Sequence, residues 1–196
     1  LGTAGDQTVT ATDTTTPALT GTDTVTVSAG AATQLRIETA ADDSGSEIGA
    51  ELLVAGDALV AYAITYDAYD NFVENAAATW SLTGITDGVV AGDLVPSADN
   101  KSATLTGNLV GTGTIQAVAG PLSDTTGTIT VVAGAPAEVR IETAANGSGT
   151  EIGARGLTAG ETLTLYAIAR DAGGNFLANI PVDWVVAPLI PLTGGL

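Results

Sequence analysis

The sequence predicts an all-β protein built from tandem Greek-key β-sandwiches, and three observations support this prediction. The first is an internal repeat: RIETAADDSGSEIGA at 36–50 returns as RIETAANGSGTEIGA at 140–154, a step of 104 residues (140 − 36). The second is a series of short runs rich in Val, Ile and Thr, separated by Gly, Asp, Asn and Pro. The third is that no segment combines helical periodicity with helix-capping residues over a useful length.

The repeat holds without a gap from Pro17 to Trp184, which allows its boundaries to be placed. A period of about 100 residues suits one autonomous β domain and is too long for a single solenoid turn. We therefore expect three segments. Residues 1–30 are the last strands of one repeat, 31–134 form a complete repeat, and 135–196 are the opening part of a third.

Within the complete repeat we expect six strands and a weaker seventh. They lie near 34–40, 58–66, 77–83, 102–108, 113–119 and 126–132, with the weaker strand near 88–92. About seven strands at this spacing are typical of a Greek-key sandwich. The repeats follow one another with almost no linker, at Gly30-Ala31 and Gly134-Ala135. Consecutive domains should therefore form a semi-rigid rod.

The composition narrows the possible functions. The chain has 22 acidic and five basic residues, so it lacks the clustered Lys and Arg that nucleic acid or an anionic membrane surface requires. It has no Cys and no His, which removes thiol nucleophiles, thiolate metal sites and imidazole bases. Carboxylate pairs remain, but nothing places them in an apolar pocket. We therefore expect no enzymatic activity, and no apolar run approaches the ~20 residues of a membrane span.

The sequence also contains no Met, and no charged segment followed by an apolar one. We therefore expect neither a translation start nor a signal peptide within it. Because residue 1 falls inside a repeat, we expect the sequence to be a piece of a longer protein.

Each copy contains a strand that runs into a turn opened by an aspartate. The two versions read ALVAYAITYDAYDNF at 58–72 and TLTLYAIARDAGGNF at 162–176. Asp side chains accept hydrogen bonds from backbone amides just ahead, and Gly or Asn tolerate the positive φ that such turns need. The strand after each turn carries a tryptophan, Trp80 or Trp184.

The order of strand, Asp-Ala-x-Gly-Asn turn and aromatic strand resembles the bacterial immunoglobulin-like repeats of invasin- and intimin-type (group 1) surface proteins. Four residues of the second copy match that turn: Asp171, Ala172, Gly174 and Asn175. Three residues of the first copy match it, with Asp70 in place of the glycine: Asp67, Ala68 and Asn71. After Val186 the family pattern is lost. The resemblance implies immunoglobulin-like sandwiches at an extracellular or cell-surface location.

The loop ADDSGSE at 41–47 is the candidate metal site. With two aspartates of the following turn it offers the oxygen ligands that calcium prefers: Asp42, Asp43, Glu47, Asp67 and Asp70. A calcium ion between tandem domains would stiffen a rod and offset its acidic charge. The second copy argues against such a site, because Asn146 and Gly147 replace two of the aspartates. A solvated acidic loop is the competing interpretation.

The two tryptophans are predicted core residues. Trp80 and Trp184 stand at matching positions inside a strand, between apolar neighbours, as the central aromatic of an immunoglobulin-type sandwich does. The alternative is that they stack on sugars.

Both faces of the strand at 58–66, and of its repeat, are apolar. One face of the first copy carries Leu59, Ala61 and Ala63. The other face carries the residues that we expect to take part in lateral packing: Tyr62, Ile64, Tyr166 and Ile168. Only one face of a sandwich strand should point inward, so the other is covered either by a loop or by another chain.

These patterns favour a structural function. We expect a repeat segment of an extracellular surface protein, as an adhesin stalk or as the subunit of a filament or sheath, whose partners are neighbouring repeats or further copies of the chain. The alternatives are a carbohydrate-binding module and a spacer module in a larger secreted protein.

The end segments suggest one route to assembly. Residues 1–30 and 135–196 resemble complementary parts of a single repeat, so residues 8–13 and 22–28 of one chain could complete the sandwich of another. Such contacts run head to tail and produce a filament. The competing interpretation is that the sequence is a window on a longer tandem array.

Overall fold

The computed structural model describes residues 2–186 and divides the chain into two compact units, Leu1–Val132 and Ala133–Leu196. The regular structure of the described residues consists of β-strands and a single 3-10 turn, Ala91–Asp93. No helix in this part of the chain is long and apolar enough to cross a membrane. The all-β fold class predicted from the sequence is confirmed.

The first unit contains twelve strands. They are β1 (Gly5–Thr12), β2 (Thr20–Val27), β3 (Gln34–Glu38), β4 (Glu51–Val54), β5 (Ala58–Tyr66), β6 (Phe72–Asn75), β7 (Thr79–Thr83), β8 (Leu94–Pro96), β9 (Ser102–Thr106), β10 (Gly111–Ala119), β11 (Leu122–Thr125) and β12 (Ile129–Val132). The second unit contains β13 (Pro136–Glu142), β14 (Tyr166–Asp171) and β15 (Phe176–Asn179).

Strands β1 and β2 form a separate antiparallel hairpin, in which Gly5 faces Val27 and Thr12 faces Thr20. At the tip, the Asp13 carboxylate accepts hydrogen bonds from the N–H groups of Thr15 and Thr16 (2.8 and 2.6 Å). An aspartate in this position closes the turn that joins the two strands.

Residues 34–132 fold into two facing sheets. One sheet has the order β3-β5-β9-β8, with β6 also paired to β5. The other has the order β11-β10-β12-β4, with β7 also paired to β10, and its β12–β4 pair is parallel. The inward side chains alternate with outward ones, as in β9, where Ala103 and Leu105 are buried. Together the inward residues of both sheets form one core, the packing expected of a sandwich.

The strands β4, β6, β8 and β11 are absent from the sequence-based prediction. The weaker strand expected at 88–92 is also displaced, because the chain forms the 3-10 turn at Ala91–Asp93 and then β8. Each of the four unpredicted strands has only three or four residues, which is too short to show a clear period of two.

In the described part of the second unit, residues 133–186, the strands form a three-stranded sheet in the order β13-β14-β15. One side of its sheet is open: Val139 is 55% exposed and Ile141 is 44% exposed. Their counterparts 104 residues earlier, Leu35 and Ile37, are 6% and 0% exposed in the sandwich core. The same sequence motif therefore presents an apolar face in one unit and a filled core in the other.

Candidate functional site

The aspartate-led turn of each repeat, residues 67–71 and 171–175, is here named the junction turn. In the first copy, Asp67 Oδ1 accepts hydrogen bonds from the N–H groups of Tyr69 (2.8 Å) and Asn71 (3.0 Å). Asp70 has a φ of 61°, and its counterpart Gly174 has a φ of 84°. Asp is among the residues that tolerate this left-handed conformation, so the turn survives the replacement of glycine.

The junction turn also binds the segment that precedes the repeat. Asp67 Oδ2 accepts a hydrogen bond from the N–H of Gly30 (2.7 Å), just after the hairpin ends. The Asn71 side chain donates to the carbonyl of Gly2 (2.7 Å) and accepts from the N–H of Ala4 (2.7 Å), just before the hairpin begins. Two adjacent side chains therefore hold both ends of the β1–β2 hairpin.

Tyr69 adds an apolar contact to this arrangement. A Cβ atom built on Gly2 would lie 3.2 Å from Tyr69 Cδ1, so the backbone at Gly2 packs closely against the tyrosine ring. A side chain at position 2 would push against this ring.

The second copy repeats the geometry within its own unit. Asp171 Oδ1 accepts hydrogen bonds from the N–H groups of Gly173 (3.0 Å) and Asn175 (2.8 Å). Asp171 Oδ2 accepts one from the N–H of Gly134 (2.8 Å), the counterpart of Gly30. The repeated sequence thus forms the same carboxylate contact to the inter-repeat glycine twice.

These contacts favour the ionised carboxylates. Hydrogen bonds from Gly30 and from Asn71 hold the pKa of Asp67 well below its usual range. Burial alone would raise the pKa of Asp171, but hydrogen bonds from Gly134 and Asn175 keep it below its ordinary value. Each junction turn is therefore an ionised acceptor that binds backbone N–H groups.

The residues of the expected calcium site have other partners. Asp67 accepts hydrogen bonds from Gly30 and from the N–H groups of its own turn. Asp70 forms an ion pair with Arg36 (2.5 Å). Asp42 accepts a hydrogen bond from the hydroxyl of its neighbour Ser44 (2.5 Å), which lowers the pKa of Asp42. Among residues 2–186, no group of three or more Asp and Glu side chains is arranged to hold a metal ion.

The remaining two residues of that expected site lie near the end of β3. Asp43 accepts a hydrogen bond from the Tyr66 hydroxyl (2.8 Å). Glu47 lies directly opposite Glu38 in an isolated antiparallel bridge. The hydrogen bonds and ion pairs of Asp42, Asp43, Asp67 and Asp70 therefore go to different partners, and these residues are not arranged around a common point.

The two tryptophans have different environments. Trp80 is 8% exposed in the sandwich core, and its Nε1 donates a hydrogen bond to the carbonyl of Asn100 (2.8 Å). Trp184 is 52% exposed, which corrects the prediction that both are core residues. Trp80 belongs to the buried cluster between the two sheets of the first unit, and Trp184 has no such cover among the described residues of the second unit.

The residues expected to pack laterally are also corrected in part. Ile64 and Ile168 are each 0% exposed, so this chain buries them by itself and they offer no surface to another chain. Tyr62 and Tyr166 are half-buried. On the same face of β5, the neighbouring Tyr66 contacts a loop of its own chain rather than another chain, because its hydroxyl donates a hydrogen bond to Asp43 in the loop that follows β3.

No protein-family model matches the chain, and no curated protein matches it. Among solved structures, domains 1–6 of the surface layer protein SbsC align with 90% of this chain at 20% identity and a TM-score of 0.31, and the chain spans 21% of that structure's length. Domains 5–6 of SbsC align with 74% of this chain, over 68% of their own length, at 21% identity and a TM-score of 0.27. TM-scores this low establish no structural equivalence between SbsC and this chain.

Proposed function

We propose that this chain is a structural segment of an extracellular surface protein, in which tandem β-sandwich repeats act as a stalk. The observation that carries the proposal is the junction turn, whose Asp67 and Asn71 side chains hold both ends of the preceding hairpin. The extracellular location follows from the resemblance of this turn to bacterial immunoglobulin-like repeats. The net charge of −17 favours a soluble, self-repelling chain.

The junction contacts suit a mechanical role because of their chemistry. A hydrogen bond to an ionised group is roughly twice as strong as one between neutral groups. The Gly30 N–H donates such a bond to Asp67, and the side-chain amide of Asn71 adds two more contacts at Gly2 and Ala4. A short junction between domains that is hydrogen-bonded at two points should bend less than the same junction without those bonds.

The stalk proposal is tested by loosening one junction. In the Asn71→Ala variant the contacts to Gly2 and Ala4 are lost, and we expect the β1–β2 hairpin to reorient faster than the sandwich. Amide NMR relaxation of the hairpin measures this motion. Asn146→Ala is the matched control, because the side-chain oxygen of Asn146 accepts its hydrogen bonds from Ser148 in its own loop.

Two results would overturn the stalk proposal. One is a hairpin that already moves independently in the unmodified chain. The other is an Asn71→Ala hairpin whose relaxation matches that of the Asn146→Ala control.

A filament formed by strand exchange is a second candidate, supported by the open face of the second unit. Val139, Ile141 and Trp184 are 55%, 44% and 52% exposed there. In the complete repeat, Ile129 and Val131 of β12 help to cover the equivalent core. Their counterparts are Val25 and Val27 in β2, so the hairpin of a second copy is the occupant that we propose for this face.

The complete repeat also shows what strand exchange requires. Gly127 lies so close to the preceding loop that an added Cβ would be 2.3 Å from Ala50 N. The hairpin has Asp23 at the corresponding position, and it would meet the backbone of Ala154. The chain at Ala154 must therefore move, and replacing Asp23 by glycine should make exchange easier.

Sedimentation velocity distinguishes these outcomes. If strand exchange occurs, the intact chain assembles, Asp23→Gly assembles at lower concentration, and a chain without residues 1–30 stays monomeric. A monomeric intact chain, or equal assembly of the shortened chain, contradicts exchange. In that case neighbouring segments of a longer array cover the open face.

A carbohydrate-binding module has less support. Trp80 is buried, and the two most exposed aromatic side chains of the described residues, Tyr69 (73%) and Trp184 (52%), belong to different units. They do not form a row on one sheet. A spacer module in a larger secreted protein would use the junction turn in the same mechanical way.

A further inference from the structure

The first repeat buries a carboxylate that has too few hydrogen-bond donors around it. Glu38, at the end of β3, is 4% exposed. Its Oε1 lies 2.8 Å from the hydroxyl oxygen of Tyr66. Its Oε2 is buried and has no hydrogen-bond partner among the residues that the structure describes. A buried carboxylate oxygen without a partner is costly.

The Tyr66 hydroxyl is shared by two carboxylates. The Oδ1 atom of Asp43, an exposed residue, also lies 2.8 Å from this hydroxyl oxygen. A hydroxyl has one proton to donate, so it can satisfy Glu38 or Asp43 but not both. Burial raises the pKa of Tyr66, and the hydrogen bonds and charges of Glu38 and Asp43 raise it further.

The second repeat shows how the same position is neutralised. Glu142, the counterpart of Glu38, is 1% exposed and accepts two hydrogen bonds from Arg170, one at each oxygen (2.5 and 2.9 Å). Arg170 stands where the first repeat has Tyr66. Its Nη2 also donates to the carbonyl of Gly147 (3.1 Å), and Gly147 stands where the first repeat has Asp43. In the second repeat, the cationic guanidinium of Arg170 therefore lies between Glu142 and Gly147.

No side chain supplies that cation in the first repeat. The Arg36 guanidinium lies over the Tyr66 ring, 4.4 Å from its centre. Its hydrogen bonds go to Gln34 and Asp70, however, and none reaches Glu38. Glu47 pairs with Glu38 through the backbone at the end of β3, so this pairing supplies no cation either.

We propose that Glu38 and Asp43, on either side of the Tyr66 hydroxyl, bind one calcium ion in the place that the Arg170 guanidinium occupies in the second repeat. Carboxylate and hydroxyl oxygens are hard ligands of the kind calcium uses, and calcium accepts water for the rest of its six to eight ligands. Glu38 supplies a buried ligand, and the exposed Asp43 supplies the route from solvent. This ligand set differs from the one predicted from the sequence and shares only Asp43 with it.

Calcium binding is tested on the whole chain, by thermal melting with calcium or with a chelator and by terbium luminescence sensitised by Tyr66. We expect calcium to raise the melting temperature, with an affinity in the range of about 0.1–1 mM that extracellular modules show. Glu38→Gln keeps the shape of the side chain and removes the charge, and it should weaken binding by about tenfold or more, on the scale of 1.4 kcal/mol per factor of ten.

A double variant provides the sharpest comparison. Tyr66→Arg with Asp43→Gly gives the first repeat the residues that the second repeat has, so it should melt at the same temperature with calcium or chelator. Asp99→Asn is the control for the loss of one exposed acidic charge, and it should respond to calcium as the unmodified chain does.

Two results would overturn the calcium proposal. If the intact chain melts at the same temperature with calcium and with chelator, no calcium ion binds beside Glu38. If Glu38→Gln and the double variant still respond to calcium, the ion binds elsewhere on the acidic surface.

Discussion

Asp67 closes its own turn with one carboxylate oxygen and binds Gly30 with the other, and both interactions require the ionised form. The pKa of Asp67 lies below its usual range, so the folded state binds fewer protons than the unfolded chain on the acid side of about pH 4. Asp67 therefore stabilises the fold above the unfolded pKa, and this contribution is lost as the pH falls through the folded pKa. Asp171 behaves in the same direction.

We predict that the chain loses stability on acidification below about pH 4, and that Asp67→Asn loses less. The reason is that asparagine has no charge to protonate. Melting temperatures at pH 7, 4 and 2.5 (about the window set by the ordinary carboxyl pKa) measure the difference. Asp87→Asn, in an exposed turn, serves as the control, and a parallel pH dependence of Asp67→Asn and the unmodified chain would contradict the assignment.

The two tryptophans allow a matched comparison at the residue scale. Trp80→Ala should lower the free energy of unfolding by about 3–5 kcal/mol, because it leaves a cavity between the sheets and frees the Asn100 carbonyl. Trp184→Ala should cost much less, since Trp184 is 52% exposed. Urea unfolding measures both values. Equal losses would show that Trp184 is buried in solution by assembly of the chain.

At the scale of strands, the sequence predicts the long strands, because they carry enough apolar residues to form a recognisable pattern. The expected strands at 58–66 and 113–119 correspond to β5 and β10, which are nine residues long; β5 is a nearly continuous apolar run, and burial alternates along most of β10. The strand β4 escapes prediction because only Leu53 of its four residues is buried. Its partner β12 lies far along the chain and runs parallel to it, and no local pattern encodes that pairing.

The junction turn shows the same division between local and long-range information. The sequence predicts the turn at Asp67 because the carboxylate and the residues just ahead interact locally. It does not predict that Asn71 binds Gly2 and Ala4, since those contacts join residues 69 and 67 positions apart. The period of the repeat was the available signal, because Asp67 and Asn71 both recur 104 residues later as Asp171 and Asn175.

Close backbone approach at β12 leads to a prediction at the element scale. An alanine at Gly127 would place its Cβ 2.3 Å from Ala50 N, so either β12 or the chain before β4 must shift. We predict that Gly127→Ala lowers the free energy of unfolding by about 1–3 kcal/mol, the range typical of overpacking. Gly92→Ala is the control, because a Cβ there meets no atom within 4 Å. Urea melts in which the two variants coincide would contradict this view of the β4–β12 edge.

At the scale of the whole molecule, charge opposes any association between copies. The net charge of −17 and the isoelectric point of about 4.1 mean that two chains repel at neutral pH. The proposed exchange brings the hairpin, with Asp6, Asp13 and Asp23, to a face whose rim carries Glu138. Burial of Val25 and Val27 against Val139 and Ile141 has to exceed this repulsion.

We therefore predict that assembly of the intact chain strengthens with salt. The screening length falls from about 30 Å at 0.01 M to about 10 Å at 0.1 M salt, which weakens repulsion between exposed carboxylates and leaves the apolar contact intact. Sedimentation velocity at these two salt concentrations measures the effect, and Val25→Asp should abolish assembly at both because it adds charge to the buried side of the hairpin. If added salt instead dissociates the assemblies, ion pairs rather than the apolar face of the second unit hold the copies together, and the exchanged hairpin is not the contact.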